Sequence, residues 1–491
     1  MRLFEALLSI SCFMRLSSLA LTTKTVRKHM AAAILGVISL GILAAQLIVE
    51  GYRWQMGIVY ALSLICICYW AAGFLSGANR PVKSRRRWFK YVTYAAAVLL
   101  LSVSVCLSAL LPVVRFPEPG GKYQVGTKTF RFVDENREEI FTDNPDDHRE
   151  LMVRVWYPAD KPAGERPEPL LPRNKHDFDA YIGSYAKQIG IPSWILGYWK
   201  YIDTHSYPNA KAVREAAPYP LVILSHGMGT GMVLHASQAE NLASHGYVVA
   251  AIDHTYSTLA TVFPDGRVTD YRTVLDEDHF LEQGRNVGKI WSGDVRFVLD
   301  KLAAVNSGAG ASGLEEMMDM ERIGVMGHSF GGSTAFEASY TDDRIKAGID
   351  MDGTVFELEG REAPNKPFLF MRAEGYFENM ERLKNDKSID KTSLEHLEKE
   401  FSISKKAVEH GGNFVEIDGA GHYNFTDLQL FSPLLPWTGM TGALKGGRGA
   451  EIVDRYVLEF FDEHLKGNAG TLLKGPNEAY PEVRFYGNAS K

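Results

Sequence analysis

At 491 residues, 46% of them apolar and 23% charged, the chain is long enough for one large α/β domain with an appendage, or for about three domains, and it is not compositionally disordered. Its formal charge of −6 conceals a division: residues 1–115 hold 13 Lys/Arg against 2 Asp/Glu, and the remainder holds 40 against 57. A basic, apolar beginning joined to an acidic remainder argues against a nucleic-acid enzyme and for a membrane-embedded end, and because all 4 cysteines (Cys12, Cys66, Cys68, Cys106) lie in that beginning, neither disulfides nor paired-cysteine zinc sites build the rest.

Three uncharged stretches, 31–49, 56–76 and 91–111, each run about 20 residues, the length that crosses a hydrocarbon core of roughly 30 Å. They are expected to form a bundle of transmembrane helices over residues 1–111. Residues 3–21 are apolar but hold Glu5 and Arg15, and are expected as a fourth span, with an interfacial helix as the alternative. Basic residues crowd the connection from Arg80 to Lys90, and Lys24, Arg27 and Lys28 precede the first long stretch. Both segments are expected on the cytoplasmic side, which puts the short "EGYRWQ" loop and everything after Pro112 outside: a multi-pass cell-membrane protein with an extracytoplasmic soluble part.

The turn-rich segment "RFPEPGGKY" reads as a linker within 112–123, and residues 124–491 as one further domain. Strands are expected at 151–157, 221–224, 247–252, 323–326, 347–351, 367–371 and 413–417, with helices at 236–243 and 292–304. A last helix carries Ile452, Val453, Tyr456, Val457, Phe460 and Leu465 on one face and stops at Gly467. Near-continuous apolar strands alternating with helices predict a mostly parallel sheet covered on both faces. Residues 160–219 follow no clear period; their aromatic-rich "IPSWILGYWKYI" suits either a lipid interface or a core. The charged stretch 381–410 reads as one or two solvated helices with no chemistry.

"GHSFG", residues 327–331, fits the G-x-S-x-G turn that ends a strand, exposes a serine and opens a helix. Such a turn is too tight for side chains at the flanking glycines, and the helix that follows aims its positive end at developing negative charge. Ser329 is therefore the candidate nucleophile. A hydroxyl needs a base, and His422, in the glycine-bounded "IDGAGHYNF" after the last strand, is placed to supply one. The acid that orients the imidazole is open on spacing alone among Asp350, Asp352 and Glu374. Two backbone donors are needed for an oxyanion: the amide of Phe330, after the serine, and that of Met228 in "SHGMGTG". His226 in that loop is expected to shape it rather than act as a second base.

"YPLVILSHGMGTG", "LASHGYVVAAIDH", "GHSFGGS", "AGIDMDG" and "GHYNFTD" together resemble the platelet-activating factor acetylhydrolase family, plasma and intracellular type II, over residues 124–427. The resemblance implies an α/β-hydrolase fold and a calcium-independent serine esterase, without metal or organic cofactor, that releases short or oxidised acyl chains from phospholipids. It implies Ser329 as nucleophile, His422 as base and Asp352, rather than Glu374, as acid, with oxyanion donors at Met228, where the family more often has leucine, and Phe330. The helical beginning departs from the animal enzymes and is similar to bacterial membrane-tethered relatives; residues 160–219, where substrate choice resides, match poorly. The expectation is a membrane-anchored carboxylic ester hydrolase acting on a lipid or other small ester, with the bilayer as its partner and no nucleic acid or obligate protein partner. The alternatives are a broad carboxylesterase or cutinase-like hydrolase, a peptidase, and a non-catalytic binding module on a membrane anchor.

Overall fold

In a computed structural model of the chain, the residues described are 1–21, 26–75, 87–362, 364–384, 386, 389 and 391–486. The chain forms two compact units, one of Met1–Val114 with Trp194–Tyr201, the other of Arg115–Ser193 with Ile202–Lys491.

The first unit consists of helices α1 (Leu3–Leu21), α2 (Val26–Ala45), α3 (Gly57–Leu75) and α4 (Arg87–Leu110), with a π turn at Gln46–Glu50 and a 3₁₀ turn at Trp54–Met56. Its interior is an apolar cluster that includes Leu8, Leu43, Met56, Val59 and Leu101. Ser11, Ser39, Ser63, Ser104 and Ser108 are buried there, as is the Glu5–Arg53 ion pair (2.9 Å), while Leu3, Ile10, Val37, Ile38, Ile65 and Leu99 face outward. Among the described residues one helix, Trp88–Leu110, is long and apolar enough to cross a membrane; Ile34–Glu50 and Trp54–Tyr69 are shorter apolar stretches. Of the three spans expected from the sequence, 91–111 falls on that helix, and 31–49 and 56–76 fall on the two stretches that are shorter among the described residues. Lys24, Ser76, Arg80, Lys83, Arg85 and Arg86, used above for span length and orientation, lie outside the described residues.

"IPSWILGYWKYI" contributes a 3₁₀ helix, Ser193–Tyr201, and its residues 194–201 join the helical unit. Trp54 Nε1–H donates to Ile195 O (2.9 Å) and Tyr201 Oη–H to Tyr52 O (2.9 Å). Trp194 meets Trp54 edge-on at 5.1 Å, and Arg53 lies over the Tyr198 ring. Tyr198 and Trp199 are buried, as the core reading expects, and Trp194 is exposed.

The second unit is built on a ten-stranded sheet. Its strands are β1 (Gln124–Glu138), β2 (His148–Ala159), β3 (Ser206–Pro208), β4 (Tyr219–Ser225), β5 (Val248–Asp253), β8 (Met318–His328), β9 (Ile345–Met351), β10 (Phe368–Ala373), β11 (Asn413–Ile417) and β12 (Val483–Phe485); β6 (Thr261–Val262) and β7 (Val268–Thr269) make a separate small hairpin. The order is β12-β11-β10-β9-β8-β4-β5-β2-β1-β3. The six central strands from β11 to β5 run parallel, with β2 and β12 antiparallel at their flanks. Every residue of β4 and β5 is buried, as a parallel strand covered on both faces requires. The covering helices are α5 (Lys175–Gln188), α6 (Ala236–Ser244), α7 (Phe280–Asn306), α8 (Phe330–Thr341), α9 (Tyr376–Leu383), α10 (Lys391–Glu409) and α11 (Gly446–Lys466). Gly467 ends α11 in the left-handed conformation (φ 74°), where lack of a β-carbon carries no penalty. The architecture is that of an α/β-hydrolase. Its parallel strands all point their carboxyl ends to one edge, where loops carry chemistry.

Candidate active site

From Ile323, β8 runs buried to His328, and the chain then reverses at Ser329 with φ 55° and ψ −122°. This backbone region is rarely tolerated outside glycine. It is held by the Ser329 N–H donating to Met351 O (2.9 Å) and by Gly332 N–H and Ser333 N–H donating to Ser329 O. The neighbouring glycines are required by contact. A β-carbon on Gly327 would lie 2.1 Å from Gly331 O, one on Gly331 2.2 Å from Ser225 O, and one on Gly332 1.9 Å from an Asp350 oxygen. The serine is thereby pushed out of the turn, half-buried, at the sheet's carboxyl edge.

Two further loops converge there. His422 opens a 3₁₀ turn, His422–Phe425, after β11, and its Nε2 lies 3.0 Å from Ser329 Oγ. Its Nδ1 lies 2.7 Å from Asp352 Oδ2. Asp352 follows β9, also at positive φ (57°), fixed by its N–H donating to Met371 O (2.8 Å) and by Ala373 N–H donating to its Oδ1 (2.9 Å). The carboxylate accepts, so Nδ1 carries the proton and Nε2 is left as acceptor for the serine hydroxyl. His328, fully buried, donates from Nε2 to His422 O (2.9 Å) and so holds the base from behind. Burial, followed by the neighbouring His422 and His235, keeps His328 well below the usual histidine range and neutral.

Of the three acids left open by spacing, the structure brings Asp352 to the imidazole. Glu374 is exposed, and its N–H donates to Ala420 O. Asp350 is fully buried and points the other way, accepting from Gly353 N–H (2.8 Å) and from Arg372 Nη1 (2.9 Å). Arg372 also reaches Glu400 Oε1 (3.2 Å). Burial raises Asp350 to about 6 and Glu400 to about 7, with Arg372 opposing both shifts. Sequence reasoning missed this triad of charges beneath the acid turn. Its signal was an arginine at the end of the buried strand "FLFMRA"; the partner Glu400 lies in the stretch read above as solvated, whose α10 in fact buries Glu400, Phe401, Ile403, Ser404 and Ala407.

Phe330 opens α8 and Met228 stands in the loop after β4; among the described residues neither backbone N–H has a protein acceptor. A β-carbon on Gly227 would meet Ser329 Cβ at 3.2 Å, so this loop passes directly beside the nucleophile. His226 is fully buried, donating from Nδ1 to Gly227 O (2.7 Å) and accepting at Nε2 from His254 N–H (3.1 Å), which makes it a loop-shaping residue as expected.

A cavity of about 730 Å³ lies over β2 and β5, lined by Met152, Arg154, Leu170, Tyr181, Met232 and Asp253 among others. Ser329 and His422 do not line it. With β4 between β5 and β8, it sits about 10 Å from the nucleophile strand, two strand spacings away. The reactive geometry is therefore at the elbow and not in this cavity. Among the described residues no group of three or more His, Cys, Asp or Glu is arranged to hold a metal ion.

The family model for platelet-activating factor acetylhydrolase, isoform II, matches residues 109–471. The platelet-activating factor acetylhydrolase of Canis lupus familiaris is 25% identical over 386 residues, covering 72% of this chain and 77% of its own length. A probable 1-alkyl-2-acetylglycerophosphocholine esterase of Arthroderma benhamiae is 26% identical over 390 residues, covering 75% of this chain and 93% of its own. A solved ferulic acid esterase from Streptomyces cinnamoneus is similar with a TM-score of 0.60 and 29% identity, over 76% of this chain and 100% of that one.

Proposed function

We propose, since this chain belongs to the platelet-activating factor acetylhydrolase, isoform II, family and is a carboxylic ester hydrolase of the serine-esterase type, that it cleaves short-acyl phospholipid or related esters through Ser329, His422 and Asp352 while anchored in a membrane. The observation that carries the reading is the unbroken chain of contacts from Ser329 Oγ to His422 Nε2 (3.0 Å) and from His422 Nδ1 to Asp352 Oδ2 (2.7 Å), at a strained turn. His422 removes the hydroxyl proton as Ser329 Oγ attacks the ester carbon, and Asp352 stabilises the imidazolium that forms. The Met228 and Phe330 amides, both free of protein acceptors among the described residues, receive the oxyanion. His422 then protonates the leaving alcohol, and water attacks the acyl-serine by the same route in reverse.

Membrane anchoring is supported by the outward apolar side chains and inward serines of the helical unit, by the Trp88–Leu110 helix, and by the basic excess of residues 1–115. The positive-inside preference of the basic segments in residues 1–115 supports a hydrolase on the extracytoplasmic side. A second reading, esters of aromatic acids, is favoured by the likeness to the ferulic acid esterase.

A panel of sn-2-acetyl and sn-2-palmitoyl phosphatidylcholine, p-nitrophenyl butyrate and ethyl ferulate separates these readings. Preference for the sn-2-acetyl lipid, abolished by Ser329→Ala, is expected. Equal turnover of all esters makes it a broad carboxylesterase, preference for ethyl ferulate favours the second reading, and Ser329-independent hydrolysis removes the mechanism.

A further inference from the structure

A second serine–histidine–aspartate arrangement lies beneath the oxyanion loop. Ser225, the last residue of β4, places Oγ 3.1 Å from His254 Nε2, and His254 Nδ1 lies 2.9 Å from Asp294 Oδ2. All three side chains are fully or almost fully buried. Asp294 accepts bidentately from Arg149 Nε and Nη2 (3.1 and 2.7 Å) and pairs with Arg137 Nη1 (2.9 Å), while Arg149 also reaches Glu139 (2.9 Å). Burial pushes Asp294 up, but Arg149 and His254 outweigh it and hold the carboxyl ionised, below the usual range. Since the carboxylate only accepts, His254 donates from Nδ1, and its Nε2 accepts the Ser225 hydroxyl proton. The ring is clamped flat on Trp291, centroids 3.9 Å apart and planes 11° apart, and Trp291 in turn meets Phe330 edge-on at 4.9 Å. The bonds are those of a hydrolytic triad; the surroundings leave no room for a substrate.

What this set touches is the machinery of the other one. The Ser225 carbonyl lies where a β-carbon on Gly331 would be, and Gly227, two residues on, abuts Ser329 Cβ. His254 N–H also donates to His226 Nε2, which fixes the next residue of the loop. A displacement of Ser225 by a fraction of an ångström therefore moves the Met228 amide relative to the serine it serves. Oxyanion donors act only when held in place before the reaction, and a misplacement of about 1 Å costs up to about 10²-fold.

We infer that Ser225, His254 and Asp294 are positioning residues: they lock the oxyanion loop against the nucleophile elbow and exchange no proton with substrate. The inference rests on the reading of Ser329 as nucleophile and Met228 as oxyanion donor given above.

The test uses the full chain in detergent with p-nitrophenyl butyrate and compares Ser225→Ala and Ser225→Cys with Ile223→Val, a buried substitution in the same strand. Ser225→Ala is expected to lower kcat about 10- to 100-fold with KM changed less than about 3-fold, since the defect is in transition-state binding. Ser225→Cys, which keeps a weak donor, should recover part of that loss, and Ile223→Val should keep wild-type kcat at a lowered Tm. Wild-type kcat in Ser225→Ala, or a loss that Ile223→Val reproduces, overturns the inference. So does fluorophosphonate labelling of Ser225 in the Ser329→Ala chain, which makes it a second nucleophile. Hydrolysis surviving Ser329→Ala would instead fault the proposed mechanism, so the two failures are distinct.

Discussion

Ser329 is held where a residue bearing a β-carbon is strained by about 1–3 kcal/mol, and Asp352 is held in a similar left-handed conformation across from it. Two strained residues joined by one imidazole mark where folding energy maintains geometry for chemistry. Ser329→Ala and His422→Ala should each lower kcat by about 10⁴-fold or more with the fold intact. Asp352→Asn should be comparably damaging, because an amide can donate to Nδ1 and so favours the wrong tautomer, whereas Glu374→Gln should leave steady-state turnover within about 2-fold. If Glu374→Gln were the crippling change, Asp352 would not be the acid. The elbow glycines fail differently. Gly331→Ala would drive a methyl group into the Ser225 carbonyl, so its loss should appear as reduced thermal stability together with lost activity, in contrast to Ser329→Ala.

The acid turn between β9 and β10 rests on Arg372, fully buried between Asp350 and Glu400. Removing one member of a buried ion cluster leaves uncompensated charge, so Arg372→Met should cost about 3–5 kcal/mol in denaturant unfolding; a cost below 1 kcal/mol would mean that both carboxyls are protonated in the native state. At the end of β5, burial raises Asp253 to about 7 from 3.8, opposed by the Met232 N–H and by Arg154. The native state then holds this proton over a window in which the unfolded chain has lost it. Stability therefore falls as pH rises from about 4 to about 7, by up to ~1.4 kcal/mol per pH unit for this group. Asp253→Asn should flatten that slope, with Tm of the variant rising relative to wild type between pH 5 and pH 8; parallel Tm profiles would show that Asp253 is ionised throughout.

At the scale of the whole molecule, what was legible in the sequence follows what was periodic. The central strands from 219 to 417 were readable because parallel strands buried on both faces are uninterrupted apolar runs, and the G-x-S-x-G turn marked its own conformation. The base in its glycine loop was readable as well, but the acid was not: Asp350, Asp352 and Glu374 differ in direction, and direction is set by three-dimensional turns. β1 escaped because its pattern is mixed and polar, β3 and β12 because they are edge strands of three residues, and Glu400 because its burial partner Arg372 is 28 residues away. The helical unit was legible in composition more than in form. Its outward apolar side chains predict that alkaline carbonate leaves the chain in the membrane pellet, and release into the supernatant would contradict the anchor. The most direct test of the central claim is labelling of the full-length chain by a fluorophosphonate probe, followed by identification of the modified peptide. The account predicts one adduct, on Ser329, lost in Ser329→Ala and strongly slowed in His422→Ala; an unlabelled wild-type chain, or an adduct on any other serine, would contradict it.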